Sequence, residues 1–450
     1  MRDSAQYILD VDLAEESPSK TQEWGTFRDS LRAPVHRWFT YPAGFSYKAV
    51  EASFAAHNVN HGQTVYDPFM GTATTNLVAK TLGVNSIGVE AHPFVFRIAR
   101  TKLEWNIEPS VLRTTLSRIE SSVDRRRSHS NGNTKLNLEK TFPELILKCY
   151  EEKILADLYF IRESIATIET STEISDMMYV GLVALLREVS SAATGWPYIA
   201  PKKKKTSSLK KDALVEFSRI VLSMGQDITT IRNEASPFSE SSCHKLFNAD
   251  SRQTQKLIPS KSVDHVFTSP PYLNNFDYAD RTRLEMYFLG EAKTWSDISK
   301  NVRAKLITSA TTQISRNDPQ YILSDGIQQL APDVYNDLKL AISHLGKLRV
   351  TKGGKKSYDH LVAGYFNDMF LVVAELFRVL KPGKAAVFVL GDSAPYGVHI
   401  PTEEYLGQLG CAIGFNRYTV QQLRTRGDKW RGNPQRHHVA LRESILTLYK

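Results

Sequence analysis

The sequence predicts an α/β fold, an open and mostly parallel sheet whose ligands gather beyond the carboxyl ends of its strands. Three stretches point to it. Thr64 to Thr75 reads as strand, tight loop and helix start. Ser86 to Ala91 reads as a second strand that ends in an acid, Glu90, with a helix opening at Pro93. Val266 to Tyr272 reads as a third strand halted by Pro270 and Pro271. Proline has no N–H for a strand ladder and restricts the residue before it, so the corner at Ser269 is stiff. In open α/β sheets such strand-end loops are where ligands bind.

Bulk properties set the frame. The chain has 450 residues, 42% apolar and 23% charged, enough for one large α/β domain with insertions. No stretch reads as a membrane span, and the Met1-Arg2-Asp3-Ser4 start carries no apolar signal core. Cys149, Cys243 and Cys411 are scattered and form no Cys-x-x-Cys pair, so neither a metal site nor a disulfide framework is expected, and the compartment is read as reducing. A net charge of +9 suits a polyanionic partner.

In chain order, residues 1 to 30 are polar and read as irregular. His36 to Ser46 is rich in aromatics and precedes a helix over Lys48 to Phe54, with Ser46 as its N-cap. In the loop after the first strand, Gly71 permits close backbone approach, and Thr74 or Thr75 can cap the helix that runs to Leu82. Glu90 follows at the spacing where nucleotide-binding sheets set a carboxylate on ribose hydroxyls. Residues 105 to 240 carry little strand signal. Ile154 to Arg187 reads as helices broken near Thr170 to Glu173, with Met177 to Leu186 buried. Basic runs at Arg125 to Arg127, Lys202 to Lys205 and Lys210-Lys211, and the aromatics Trp196 and Tyr198, make this helical stretch a candidate recognition element for nucleic acid.

The sheet resumes with His244 to Arg252, where Asp250 closes a strand, and with Ser262 to Thr268. Asn275, Asp277 and Tyr278 follow the proline corner and are candidates to line a base pocket. Residues 291 to 357 read as a second insertion with a basic loop at Lys352 to Lys356. Tyr365 to Leu380 is an amphipathic core helix, ended by Lys381-Pro382-Gly383. Ala385 to Leu390 is a buried strand, and Val439 to Tyr449 a closing one. Between them lies a basic tail, with Arg424, Arg426, Lys429, Arg431 and Arg436 read as phosphate contacts.

The chemistry follows from the corner. A stiff loop presents a hydroxyl and a carbonyl as acceptors beside an aromatic face, which suits a flat group carrying an exocyclic NH2. Ser269-Pro270-Pro271-Tyr272 resembles the catalytic motif of the S-adenosylmethionine-dependent DNA amino-methyltransferases, which methylate cytosine N4 or adenine N6. The Ser-first form is more typical of the cytosine enzymes. Asp67-Pro68-Phe69-Met70-Gly71-Thr72-Ala73-Thr74-Thr75 resembles their cofactor loop, with Ala73 where a second glycine is usual. The stretch around Phe45 and the Asn-Ala-Asp-Ser run ending near Asp250 resemble two further cofactor elements.

The resemblance implies a Rossmann-like class I methyltransferase with a seven-stranded sheet and a large helical insertion. It implies a first catalytic part at 31–104, the insertion at 105–240, and a second catalytic part at 241–450. S-adenosyl-L-methionine would be held by Asp67, Pro68, Phe69, Gly71, Thr72, Glu90, Asp250 and Phe45. Catalysis would fall to Ser269, Pro270, Pro271 and Tyr272, and the everted base would meet Asn275, Asp277 and Tyr278. The implied partner is double-stranded DNA, with cognate restriction or defence subunits as further candidates, in the cytoplasm. The cofactor motif precedes the catalytic one, the reverse of many Ser-Pro-Pro-Tyr enzymes. An adenine-N6 enzyme, an RNA base methyltransferase and an inactive nucleic-acid-binding subunit are the alternatives.

Overall fold

The computed structural model describes residues 24–41, 44–130, 137–193, 199–204, 211–314, 322–354, 356–426 and 439–450. Trp196, Tyr198, Lys205, Lys210, Lys429, Arg431 and Arg436 lie outside them. Among the described residues nine strands form in chain order: β1 (Thr64–Asp67), β2 (Asn85–Val89), β3 (Ala192–Ala193), β4 (Ala200–Lys204), β5 (His244–Phe247), β6 (Val263–Thr268), β7 (Leu380–Gly391), β8 (Arg417–Arg426) and β9 (Leu441–Tyr449). Seven of them make one sheet in the order β5-β2-β1-β6-β7-β9-β8, while β3 and β4 form a small ribbon.

The five strands from β5 to β7 are parallel, and β9 runs antiparallel between β7 and β8. This is a doubly wound sheet with one strand inserted near its far edge. The parallel strands read as apolar runs because both faces are covered: every residue of β6 is buried. From β1 the chain winds outward through β2 to β5, then returns to β6 on β1's other side. The winding direction therefore reverses between β1 and β6, and the crevice beyond their carboxyl ends is the expected ligand position.

Two layers of helix cover the sheet. Against one face pack Tyr358–Val379 and Thr402–Ile413, with Pro332–Thr351 outside them. On the other, Tyr47–Ala56 and Thr74–Thr81 pack around Phe54, Val65 and Phe267. Ser46 caps the first of these by accepting from the Lys48 N–H at 3.2 Å, as its sequence suggested. Tyr358–Val379 is, among the described residues, the one helix long and apolar enough to cross a membrane. Its stripe of Tyr365, Phe366, Met369, Val373 and Leu376 is fully buried in this core.

The stretch predicted as a helical insertion is helical: Pro109–Ser130, Glu152–Thr167, Thr172–Glu188 and Ala213–Glu234 share one apolar core with Pro93–Lys102. Polar ties fix it to the helices and loops around it. Asp176 takes ion pairs from Arg97 at 2.8 Å and Arg100 at 2.5 Å. Asp227 accepts from the Val35 N–H, Arg37 and the Trp38 indole. Arg187 pairs with the buried Glu285.

β8 was not legible as a strand. Its stretch reads as a basic tail, yet Arg417–Arg426 is the outer edge of the sheet, paired along its length to β9. An edge strand keeps one side wet and accepts charged residues there. Two of the arginines read as phosphate contacts turn out to be engaged by protein: Arg424 pairs with Glu443 at 2.6 Å, and Arg426 donates to the Asp392 carbonyl at 3.2 Å.

Candidate active site

The ends of β1, β2 and β6 open onto one cleft of about 850 Å³, its open mouth included. Pro68, Phe69, Met70, Gly71 and Thr72 line it after β1, Glu90 after β2, Asp250 after β5, and Ser269 and Pro271 after β6. Phe27, Tyr41, Phe45 and Tyr278 add aromatic surface, and Leu306 and Ile307 aliphatic surface.

Local backbone chemistry shapes the β1 loop. Gly71 has φ +52° and donates its N–H to Glu90 Oε2 at 2.9 Å. Ala73 has φ +70° and stands at the start of the Thr74–Thr81 helix. A left-handed residue is what a glycine supplies freely, so alanine takes the glycine's conformation here at a cost of about 1–2 kcal/mol. Beneath the loop, Asp67 is fully buried and does not line the cleft. Its Oδ1 accepts from the Phe69 N–H at 3.0 Å and from the Thr268 hydroxyl at 2.6 Å. The carboxylate thus bolts the β1 loop to the end of β6. Burial pushes its pKa up to about 6 against those hydrogen bonds.

Glu90 is half-buried and lines the cleft. Its Oε1 accepts from the His92 N–H at 2.8 Å, so both oxygens are oriented by backbone. Burial raises its pKa to about 7, with those N–H groups pulling the other way. Asp250 also lines the cleft, but its carboxylate is gripped by Arg252 at 2.6 Å, which bridges to Asp368 at 2.7 Å. Phe45 packs on Phe267 of β6, centroids 5.3 Å apart.

At the proline corner, the Ser269 hydroxyl donates to the Val389 carbonyl of β7 at 2.8 Å. Its proton is spent on the sheet and its oxygen remains an acceptor facing the cleft. Tyr272 is 6% exposed and is not part of the wall. Its hydroxyl donates to Glu443 Oε1 at 2.9 Å, and the Arg426 guanidinium lies 5.1 Å from its ring centroid. Pro270 is likewise buried behind the corner.

The three residues after the corner separate. Tyr278 lines the cleft, 5.8 Å from the Tyr41 ring. Asn275 is half-buried away from the wall and uses its N–H on the Ser309 carbonyl at 3.2 Å. Asp277 is 2% exposed, caps the Tyr278–Arg281 helix, and pairs with the buried Arg303 at 2.6 Å. It therefore supports the wall from behind. Sequence reading missed the segment Lys305 to Ser309, which lines the cleft from within the second insertion. Nothing local marks those residues; a contact made only in the fold brings them there.

Known proteins resemble this chain in the same regions. The family model described as DNA methylase matches residues 17–101, the part that carries β1, the loop, β2 and Glu90. A type II methyltransferase, M.BsoBI of Geobacillus stearothermophilus, is 24% identical, with 97% of this chain aligned to 89% of its own. These matches support a DNA amino-methyltransferase of the N6/N4 kind. Other relatives span the methyltransferase nearly as fully. M.AvaI of Anabaena variabilis is 22% identical over 89% of this chain and 83% of its own. M.MvaI of Kocuria varians is 21% identical over 94% and 90%. The helical stretch from 105 to 240 thus lies inside the region these relatives share with this chain.

Proposed function

We propose that this methyltransferase transfers the methyl group of S-adenosyl-L-methionine to the exocyclic N4 amino group of a cytosine everted from double-stranded DNA, at a defined sequence. The observation that carries the reading is the meeting of Ser269 and Pro271 with Pro68 to Thr72 and Glu90 around one cleft.

The cleft's donors and walls suit the cofactor. A carboxylate held by two backbone N–H groups keeps lone pairs for the two hydroxyls of a ribose, which is Glu90's part. Phe45, Phe69 and Ile307 offer apolar surface for the adenine, and Asp250, already paired to Arg252, is the acceptor for its amino group. Thr72 and the Gly71 backbone face the amino-acid end. Asp67 acts through the loop it anchors. When bound, the cofactor supplies an electrophilic methyl group on a sulfonium.

The chain's own residues then align the acceptor. The cytosine amino group is a weak nucleophile because its lone pair is delocalised into the ring. Ser269 Oγ, with its proton on Val389, and the Pro270 carbonyl accept the two amino protons. That hold turns the nitrogen lone pair toward the methyl group and costs no reorganisation at the moment of transfer. Tyr272, buried behind the corner in this structure, supplies the stacking face once it is uncovered, and Tyr278 already lines the cleft. A target inside a duplex reaches this corner only by leaving the stack. The Ser-first corner favours cytosine over adenine. By analogy with the type II relatives we place the enzyme in the cytoplasm beside a cognate restriction or defence partner.

The test is expression in a host lacking DNA methylation, followed by nucleoside mass spectrometry and single-molecule sequencing. N4-methylcytosine confined to one sequence context is expected. N6-methyladenine would overturn the base assignment, and unmodified DNA would overturn the reading as a whole.

A further inference from the structure

Arg426 closes β8 opposite Leu441 of β9, and its side chain reaches back over the end of the sheet. Its guanidinium carbon stands 5.1 Å from the Tyr272 ring centroid, within the range of a cation over an aromatic face. Nη1 donates to the Asp392 carbonyl at 3.2 Å. Gly391, next to that carbonyl, makes the arrangement fit: a Cβ there would lie 2.1 Å from Arg426 Nη1. The far end of the ring is anchored, because the Tyr272 hydroxyl is tied to Glu443, itself held by Arg424. The cation also sits near enough to Tyr278, on the cleft wall, to favour that residue's ionised form against burial. The guanidinium therefore lies at the corner between the two tyrosines of the site.

A guanidinium is a flat, delocalised group that stacks on aromatic faces. A flipped cytosine is another, and the two cannot share one face of Tyr272. We propose that Arg426 occupies the base-stacking face of Tyr272 in the DNA-free enzyme and is displaced from it when the target nucleotide swings in. This rests on the amino-transfer reading above. Arg426 is then a positioning residue that keeps the acceptor corner ordered before DNA arrives and sets how readily a base is accepted. Displacement is an equilibrium, and removing the resident competitor shifts it toward the everted base.

The experiment uses full-length enzyme and a duplex carrying a stacking-sensitive fluorescent base at the target position found by methylome sequencing. The everted fraction is measured at saturating enzyme, so that lost DNA affinity does not enter. Arg426→Ala is expected to raise the eversion equilibrium about three- to tenfold. Arg426→Lys, which keeps the charge and loses the plane, is expected to move the same way. Gly391→Ala, which leaves Arg426 in place but crowds it off the ring, is the independent variant, read alongside thermal unfolding of each protein. Eversion unchanged or reduced in all three, with wild-type enzyme methylating normally, overturns the role of Arg426 alone. Wild-type enzyme that neither everts nor methylates the target overturns the amino-transfer reading first, and this inference with it.

Discussion

The Thr268 hydroxyl donates to Asp67 Oδ1 at 2.6 Å, joining the last residue of β6 to the last residue of β1 inside the protein. The proline corner and the β1 loop hang from these two residues, so one buried hydrogen bond ties them together where the β1–β6 ladder ends. Thr268→Val keeps the shape and removes the donor, and should cost about 1–2 kcal/mol. Asp67→Ala strands the Phe69 N–H as well and should cost about 2–3 kcal/mol. Both variants should weaken cofactor binding in calorimetry although neither residue lines the cleft. Unchanged affinity in a folded Asp67→Ala protein would show that the loop holds itself.

Cofactor binding should depend on pH through Glu90. Burial raises its pKa to about 7, and only the carboxylate can accept from both ribose hydroxyls. Between about pH 8 and about pH 6 the ionised fraction falls about tenfold, and the Kd for S-adenosylmethionine should rise to match. Glu90→Gln should bind weakly with a flat profile. Stability of the cofactor-free protein runs the opposite way. Glu90 and Asp67 both hold their protons more tightly folded than unfolded. Their contribution is complete below their ordinary carboxylate pKa values and is lost as pH rises through about 6 and about 7. Chemical denaturation across that range, with and without Glu90→Gln, checks the sign.

Transfer and cofactor binding should separate at the corner. Ser269→Ala removes the acceptor and also the bond to Val389. It should lower kcat by about a hundredfold or more, in the range for one lost oriented hydrogen-bonding group, while the cofactor Kd stays within about twofold. Tyr272→Phe loses only the bond to Glu443, which keeps Arg424, and should retain most activity. Tyr272→Ala should not. A Tyr272→Phe protein as inactive as Tyr272→Ala would assign the chemistry to the hydroxyl and not to the face.

The sheet was legible because its parallel strands are buried on both faces and end in punctuating residues: Asp67-Pro68, Glu90 before Pro93, and Thr268 before Pro270. Part of the cleft lining was legible for the same reason, since Phe69, Gly71 and Glu90 follow their strands directly. What escaped is set by contacts distant in sequence. Lys305 to Ser309 reaches the cleft from an insertion with no motif. Glu443 holds Tyr272 across 171 residues. Arg426 reads as one more tail arginine until β8 is seen to lie beside β9. Asp277 looked like a pocket residue because it stands next to one, Tyr278; helix capping turned its carboxylate inward.

Ala73 offers a test of backbone strain. Its φ of +70° is left-handed, where glycine is at ease and alanine is not. Ala73→Gly should relieve about 1–2 kcal/mol in the folded state and return roughly 0.5–1 kcal/mol through the looser unfolded chain. A net gain of up to about 1.5 kcal/mol, with activity retained, is expected from denaturant titration. A destabilised Ala73→Gly protein would mean that the methyl group's packing in this fully buried position outweighs the strain.

The Asp277–Arg303 pair should govern the far wall of the cleft. Both side chains are almost fully buried, at 3% and 4% exposure, and the guanidinium lies 3.9 Å from the Trp295 ring centroid. Thr312 also donates to Asp277, at 2.8 Å, so two parts of the second insertion converge on one carboxylate. Breaking a buried pair from one side leaves a charge without its partner, so Arg303→Ala should cost about 3–5 kcal/mol. Arg303 lies two residues before Lys305, where the cleft wall begins, so the loss should loosen the wall that Leu306 and Ile307 provide. The expected signature is weaker cofactor binding together with faster amide exchange across residues 303–312. The double variant Asp277→Asn/Arg303→Met removes both charges and should recover much of the stability, since a neutral buried pair avoids the stranded ion. If the double variant is no more stable than Arg303→Ala alone, packing against Trp295 and not charge pairing holds this wall.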